Sequence, residues 1–107
     1  MFRWLVTVRA ADGRSPEVRQ LLEATLVPLL RNQSVCANPE LAACIHCAGE
    51  HTYLAQWPSE DAVVQFEHSP AYQTALDALA PLLRIPPKRE LWEVLTAPNR
   101  PVGTGSA

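Results

Sequence analysis

Two groups of residues in this 107-residue chain have the types and spacing for chemistry. The first is Cys44-Ile45-His46-Cys47, followed closely by His51. Two cysteines with two residues between them have zinc-like spacing. On a regular strand, however, residues three apart point to opposite faces, so Cys44 shares a face with His46 and not with Cys47. The two thiolates converge only if the hairpin end carrying them is irregular. Without such a distortion the cysteines are small apolar residues, and no metal is expected. Nothing in the spacing pairs Cys36 with either.

The second group runs through Tyr53, Trp57, Phe66, His68 and Tyr72, with Trp4 near the start of the chain. Large aromatics at these intervals can line or fill an apolar cavity. Histidine is the natural proton acceptor near neutral pH, and His68 stands just before Ser69-Pro70. Its other reading is that of a solvated residue at a helix edge.

Something must position these side chains. Phe2 to Arg9 alternates, with Phe2, Trp4, Val6 and Val8 on one face and Arg3, Leu5, Thr7 and Arg9 on the other, which predicts a first strand. Ala10 to Arg14, with Gly13, reads as a turn. Ser15-Pro16 then opens a helix in which Val18, Leu21, Leu22, Thr25, Leu26, Leu29 and Leu30 follow helical spacing. Pro28 removes one backbone hydrogen bond inside it and predicts a kink.

Asn32 to Glu40 reads as a loop turning at Asn38-Pro39. Leu41 to Cys47 and His51 to Trp57 read as a hairpin around Ala48-Gly49-Glu50. Ser59 caps a helix whose first turn carries Glu60 and Asp61, complementing the positive end of its dipole. Ser69-Pro70 repeats the start signal, so the helical region from Glu60 to about Leu83 divides there, with Tyr72, Ala75, Leu76, Leu79 and Leu83 on one side. Arg89 to Leu95 is the last strand. Ala97 to Ala107, rich in Pro, Gly and Ser, reads as a mobile tail. The resulting order, βαββαβ, is ferredoxin-like, with an α+β domain over 1–96.

Composition agrees with one domain, since a chain of this length that is 48% hydrophobic can build one core and not two. A net charge of −2 and a pI near 5.9 speak against nucleic acid or an acidic membrane as partner. No apolar run approaches the length of a membrane helix, and the start lacks the pattern of a signal peptide. Three cysteines, an odd number, suit a reducing compartment. A cytoplasmic protein is expected.

The order of these marks resembles the antibiotic biosynthesis monooxygenase (ABM) domain of the dimeric α+β barrel superfamily. The residues that carry the likeness are Trp57 at a strand end, the Ser59 cap, Ala62, and Ser69-Pro70-Ala71-Tyr72. It extends in element order and length from about Phe2 to Leu95.

The resemblance implies a homodimer in which two four-stranded sheets meet face to face. The same need appears in the residues, because both faces of the first and last strands carry large apolar groups. The resemblance also implies a cavity between sheet and helices lined by Trp57, Tyr53, Trp4, Phe66 and Tyr72, holding a small aromatic substrate. Trp57 has a second reading as a packing residue, and Tyr53 stands where the family often has asparagine.

The implied reaction is a cofactor-independent oxidation of a phenol, quinol or polycyclic aromatic by O2. The substrate is deprotonated, His68 being the residue placed to accept the proton, and the electron-rich anion reduces oxygen directly. The haem-degrading branch of the fold is disfavoured, since Val6 stands at its asparagine position and the helix around Leu76 has no histidine. The alternative is a non-oxidative small-molecule-binding protein, or an isomerase or cyclase of the same fold.

Overall fold

The computed structural model describes residues 1–96. The expected tail, 97–107, lies outside the described residues. The chain order is β1 (Phe2–Arg9), α1 (Ser15–Leu21), α2 (Val27–Arg31), β2 (Ala37–Ala43), β3 (Glu50–Trp57), α3 (Glu60–Glu67), α4 (Pro70–Leu79) and β4 (Lys88–Glu93). The strands form one antiparallel sheet ordered β2-β3-β1-β4, the ferredoxin-like arrangement. None of the described helices is long and apolar enough to cross a membrane.

Alternation in β1 sets the layers. Trp4, Val6 and Val8 are buried against the helices, as are Tyr53, Ala55 and Trp57 on β3. Register places Trp4 opposite Ala55 and Val6 opposite Tyr53, so the two central strands present one continuous apolar face. The helices answer with Val18, Leu22, Leu26 and Leu30 from the first helical stretch, and with Val63, Phe66, Tyr72 and Leu79 from the second. Thr25, expected on the buried stripe, is exposed.

The distortion attributed to Pro28 falls one turn before it. Leu22–Leu26 forms a π-helical turn joining α1 to α2, with the Val27 N–H bonded to the Leu22 carbonyl. A proline has no N–H to give and its ring crowds the carbonyl four residues back, so the wider turn relieves both. The helix continues through Pro28 to Arg31.

Several boundaries differ from expectation, β4 among them, which runs Lys88–Glu93 and stops short of Leu95. β2 begins inside the segment read as a loop, because Asn38-Pro39 marks a bulge and not a turn. Asn38 is left-handed at φ 51°, and the register slips between Ala37 and Glu40. β2 is an edge strand, where a proline and a bulge are tolerated. At its other end β2 stops at Ala43, leaving Cys44 to Cys47 in an irregular turn, while Glu50 belongs to β3. Leu83 is extended and bridges Ala10 instead of extending α4.

The two cap expectations hold. Ser59 Oγ accepts from the Ala62 N–H at 3.1 Å, and Ser69 Oγ accepts from the Tyr72 N–H at 3.3 Å while donating to the Phe66 carbonyl. These bonds fix the break between α3 and α4, and with it the position of Tyr72 over the sheet.

Candidate active site

The structure brings all five predicted aromatics together. Trp4 lies at the centre, with ring centroids 5.5 Å from Tyr53, 6.0 Å from Trp57, 5.7 Å from Phe66 and 5.7 Å from Tyr72. Most contacts are tilted or edge-on, the arrangement that aromatic quadrupoles favour. Each of the five is at least 96% buried. They fill the space between sheet and helices, so a ligand reaching Trp57 or Tyr53 has to displace side chains.

Four polar groups of these side chains are embedded in the cluster. The Tyr53 and Tyr72 hydroxyls are 2.7 Å apart. Trp4 Nε1 donates to Glu67 Oε2 at 3.0 Å, and the same carboxylate oxygen accepts from Arg89 Nε. Trp57 Nε1 is buried without a partner among the described residues, a donor that a ligand oxygen or a water would satisfy.

A groove of about 290 Å³ opens at the edge of the cluster, lined by Val6, Glu67, His68, Tyr72, Gln73, Leu76, Pro87 and Arg89. Tyr72 and His68 are thus the predicted residues on an accessible surface. His68 is exposed at the C-terminal end of α3, with its backbone N–H held by the Val64 carbonyl. Gln73 Nε2 donates to the Glu67 carbonyl at 2.6 Å and braces the same corner. Glu67 and Arg89 are site residues that the sequence did not point to. They lie 22 positions apart and meet only because β4 flanks β1.

Burial pushes the Tyr72 phenol up to about 12, with the Tyr53 hydrogen bond pulling the other way, Glu67 adding to the rise and Arg89 opposing it. Tyr53 is also raised, by burial first and then by the neighbouring Tyr72. Near neutral pH both are phenols, able to donate a hydrogen bond and unable to act as phenolate bases. Arg89 is shifted upward mainly by its hydrogen bond to Glu67, so the guanidinium at the groove stays charged.

A larger open groove of about 480 Å³ separates the first helical stretch from β2. Its lining includes Arg19, Glu23, Arg31 and Glu40, with His51 at its base. His51 is 5% exposed and its Nδ1 has no hydrogen-bond partner among the described residues. Burial lowers its pKa, as does Arg19, against smaller upward effects of Gly49 and Glu23. The charged walls suit a polar ligand more than an aromatic one. His46 lies on the exposed hairpin turn, apart from both grooves.

The fold is shared with solved antibiotic biosynthesis monooxygenases. One such structure superposes with a TM-score of 0.80 at 14% identity, covering 90% of this chain and all of the other. A candidate antibiotic biosynthesis monooxygenase from Deinococcus radiodurans gives 0.82 at 22% identity, covering 94% and 98%. The Rv0793 protein of Mycobacterium tuberculosis gives 0.79 at 20%, covering 91% and 97%. No protein-family model matches the chain, and no curated protein matches it by sequence. At these identities the likeness establishes the fold.

Proposed function

We propose that this protein is a monooxygenase that oxidises a small phenolic, quinol or polycyclic aromatic substrate with O2, working as a homodimer. The observation that carries the reading is the Tyr72–His68 groove set on an aromatic cluster, in a fold shared with antibiotic biosynthesis monooxygenases.

The substrate ring lies against Leu76 and Val6 at the mouth of the groove. His68 accepts the substrate's acidic proton, and the anion so formed is held by the Tyr72 hydroxyl and the Arg89 guanidinium, both donors. The electron-rich carbon then reduces O2. One oxygen atom becomes a carbonyl on that carbon, the other leaves as water, and the substrate supplies the electrons. Trp57 Nε1 is the donor available to an oxygen atom that penetrates deeper.

The sheet face that no described helix covers supports the dimer. Leu5 and Leu54 are paired across β1 and β3 on that face, beside Trp92, which is 59% exposed. A second copy covering this face buries apolar surface that water otherwise contacts, worth about 25 cal/mol per Å².

The test is oxygen uptake on a panel of quinols and polyphenols, with dimer mass measured by light scattering. Turnover is expected to fall at least about tenfold in Tyr72→Phe and in His68→Gln, and to survive His46→Ala. Trp92→Glu is expected to weaken the dimer. The second reading, a non-oxidative binding protein, isomerase or cyclase, is favoured by the tightly filled aromatic cluster. Saturable binding of a polyphenol without oxygen uptake decides for it.

A further inference from the structure

We propose that Cys44, Cys47 and Glu50 form a site for one thiophilic divalent cation of the zinc class, distinct from the Tyr72 groove. The condition for the two thiols to converge is an irregular hairpin end, and the structure meets it. β2 stops at Ala43, and the following residues turn back on themselves before β3 begins at Glu50. One donor atom from each of Cys44, Cys47 and Glu50 lies within 4.8 Å of the other two. Among the described residues this is the group of three ligating side chains that converge in this way.

Magnitudes favour a cation over a cross-link. With metal–sulfur bonds of about 2.3 Å and metal–oxygen bonds of about 2.0–2.2 Å, neighbouring donors of a tetrahedron stand roughly 3.5–3.8 Å apart. All three donors already lie within 4.8 Å of one another, so small side-chain rotations bring them to that spacing. A disulfide requires the sulfurs to come to about 2.05 Å with a restricted dihedral, a closer approach than the cation needs.

The backbone beneath the donors is already ordered. The Cys44 N–H bonds to the Glu50 carbonyl, the Glu50 N–H to the Cys47 carbonyl, both at 3.0 Å, and the Ala10 N–H holds the Gly49 carbonyl at 2.9 Å. Gly49 takes φ +82°, which a side chain would resist. Two thiolates and a carboxylate favour a borderline-soft ion over magnesium or calcium. The fourth position falls to water or to His46 in the same turn. Arg9 competes, since its Nη2 donates to Glu50 Oε1 at 2.9 Å, so the cation engages the second carboxylate oxygen or displaces the arginine.

The experiment uses the full chain, reduced, stripped with chelator and kept free of oxygen. Cobalt(II) is the probe, followed by displacement with zinc. One cobalt per chain is expected, with a sulfur-to-metal charge-transfer band in the near ultraviolet. The band should vanish in Cys47→Ser and Cys44→Ser, weaken about tenfold in affinity in Glu50→Gln, and persist in Cys36→Ser. Arg9→Ala should bind at least as tightly as the parent. Circular dichroism establishes that the variants fold, and the exposed Cys47 carries the test if Cys44→Ser does not. The proposal is overturned by a missing band at equimolar cobalt, by a band that survives Cys47→Ser, or by thiols that take up no metal and close into a disulfide in air.

Discussion

The hydroxyl oxygens of Tyr53 and Tyr72 lie 2.7 Å apart, and their surroundings decide which one donates. Tyr53 is fully buried and, among the described residues, makes no other side-chain hydrogen bond, so its proton goes to the Tyr72 oxygen. Tyr72 borders the groove. With Tyr53 donating, the Tyr72 proton is free to turn toward whatever occupies the groove. The deep tyrosine thus orients the shallow one as a donor.

An asymmetry in stability follows. Tyr72→Phe strands the Tyr53 hydroxyl in an apolar interior, which costs about 1–3 kcal/mol. Tyr53→Phe removes the deep donor and leaves Tyr72 beside a groove that water can enter, at a cost of about 0.5–1.5 kcal/mol. Urea denaturation of the two variants measures this. Equal losses, or a greater loss in Tyr53→Phe, would show that the direction assigned to the bond is wrong.

The same pair gives a clean alkaline titration, because the chain contains two tyrosines and both are in it. Each has a raised pKa, Tyr72 to about 12, while an unfolded tyrosine titrates near 10. The folded state therefore holds these protons more tightly. The associated stability is complete below about pH 10 and is lost as pH rises through the interval between 10 and 12. Tyrosinate absorbance should stay flat through pH 10 in the native protein and appear near 10 in denaturant. Native-like circular dichroism with a phenol titrating at 10 would contradict the buried pair.

How far the sequence reveals this arrangement depends on the range of the contacts. β1 was legible to the residue because alternation places Trp4, Val6 and Val8 on one face, and the caps Ser59 and Ser69 act on residues three positions away. The shared face of Tyr53, Ala55 and Trp57 follows from the two-residue period of a strand. β2 was displaced by four residues because Asn-Pro signals a break in either a turn or an edge-strand bulge, and only pairing to β3 distinguishes them. Glu67 was invisible as a site residue because its partners are 63 positions before it and 22 after it. No local pattern encodes such a meeting.

Glu67 is the acceptor on which two donors converge, and the donors are not equal. Trp4 is fully buried, whereas the Arg89 side chain is 44% exposed and loses little by turning to water. Glu67→Ala should therefore destabilise by about 1–3 kcal/mol, through the orphaned indole N–H. Arg89→Ala should stay within about 1 kcal/mol of the parent. Glu67→Gln keeps an acceptor for Trp4 and should fall between them. If Arg89→Ala proves as damaging as Glu67→Ala, the ion pair and not the indole bond dominates this corner.

His51 sets the acid limit through a shift of the opposite sense. Its pKa is lowered, chiefly by burial and then by Arg19, so the unfolded chain binds a proton more readily than the folded one. By linkage, the stability due to neutral His51 is complete above the unfolded pKa of about 6.5. It is lost as pH falls from there toward the depressed folded value. The backbone at Gly49 and the Glu23 carboxylate favour the protonated ring, but they do not outweigh burial and Arg19. Urea midpoints should hold steady from pH 8 to about 7 and decline through pH 6 and 5. His51→Leu removes the titrating group and should flatten that decline while leaving the alkaline arm, set by Tyr53 and Tyr72, unchanged. An acid decline just as steep in His51→Leu would move its origin to the carboxylates.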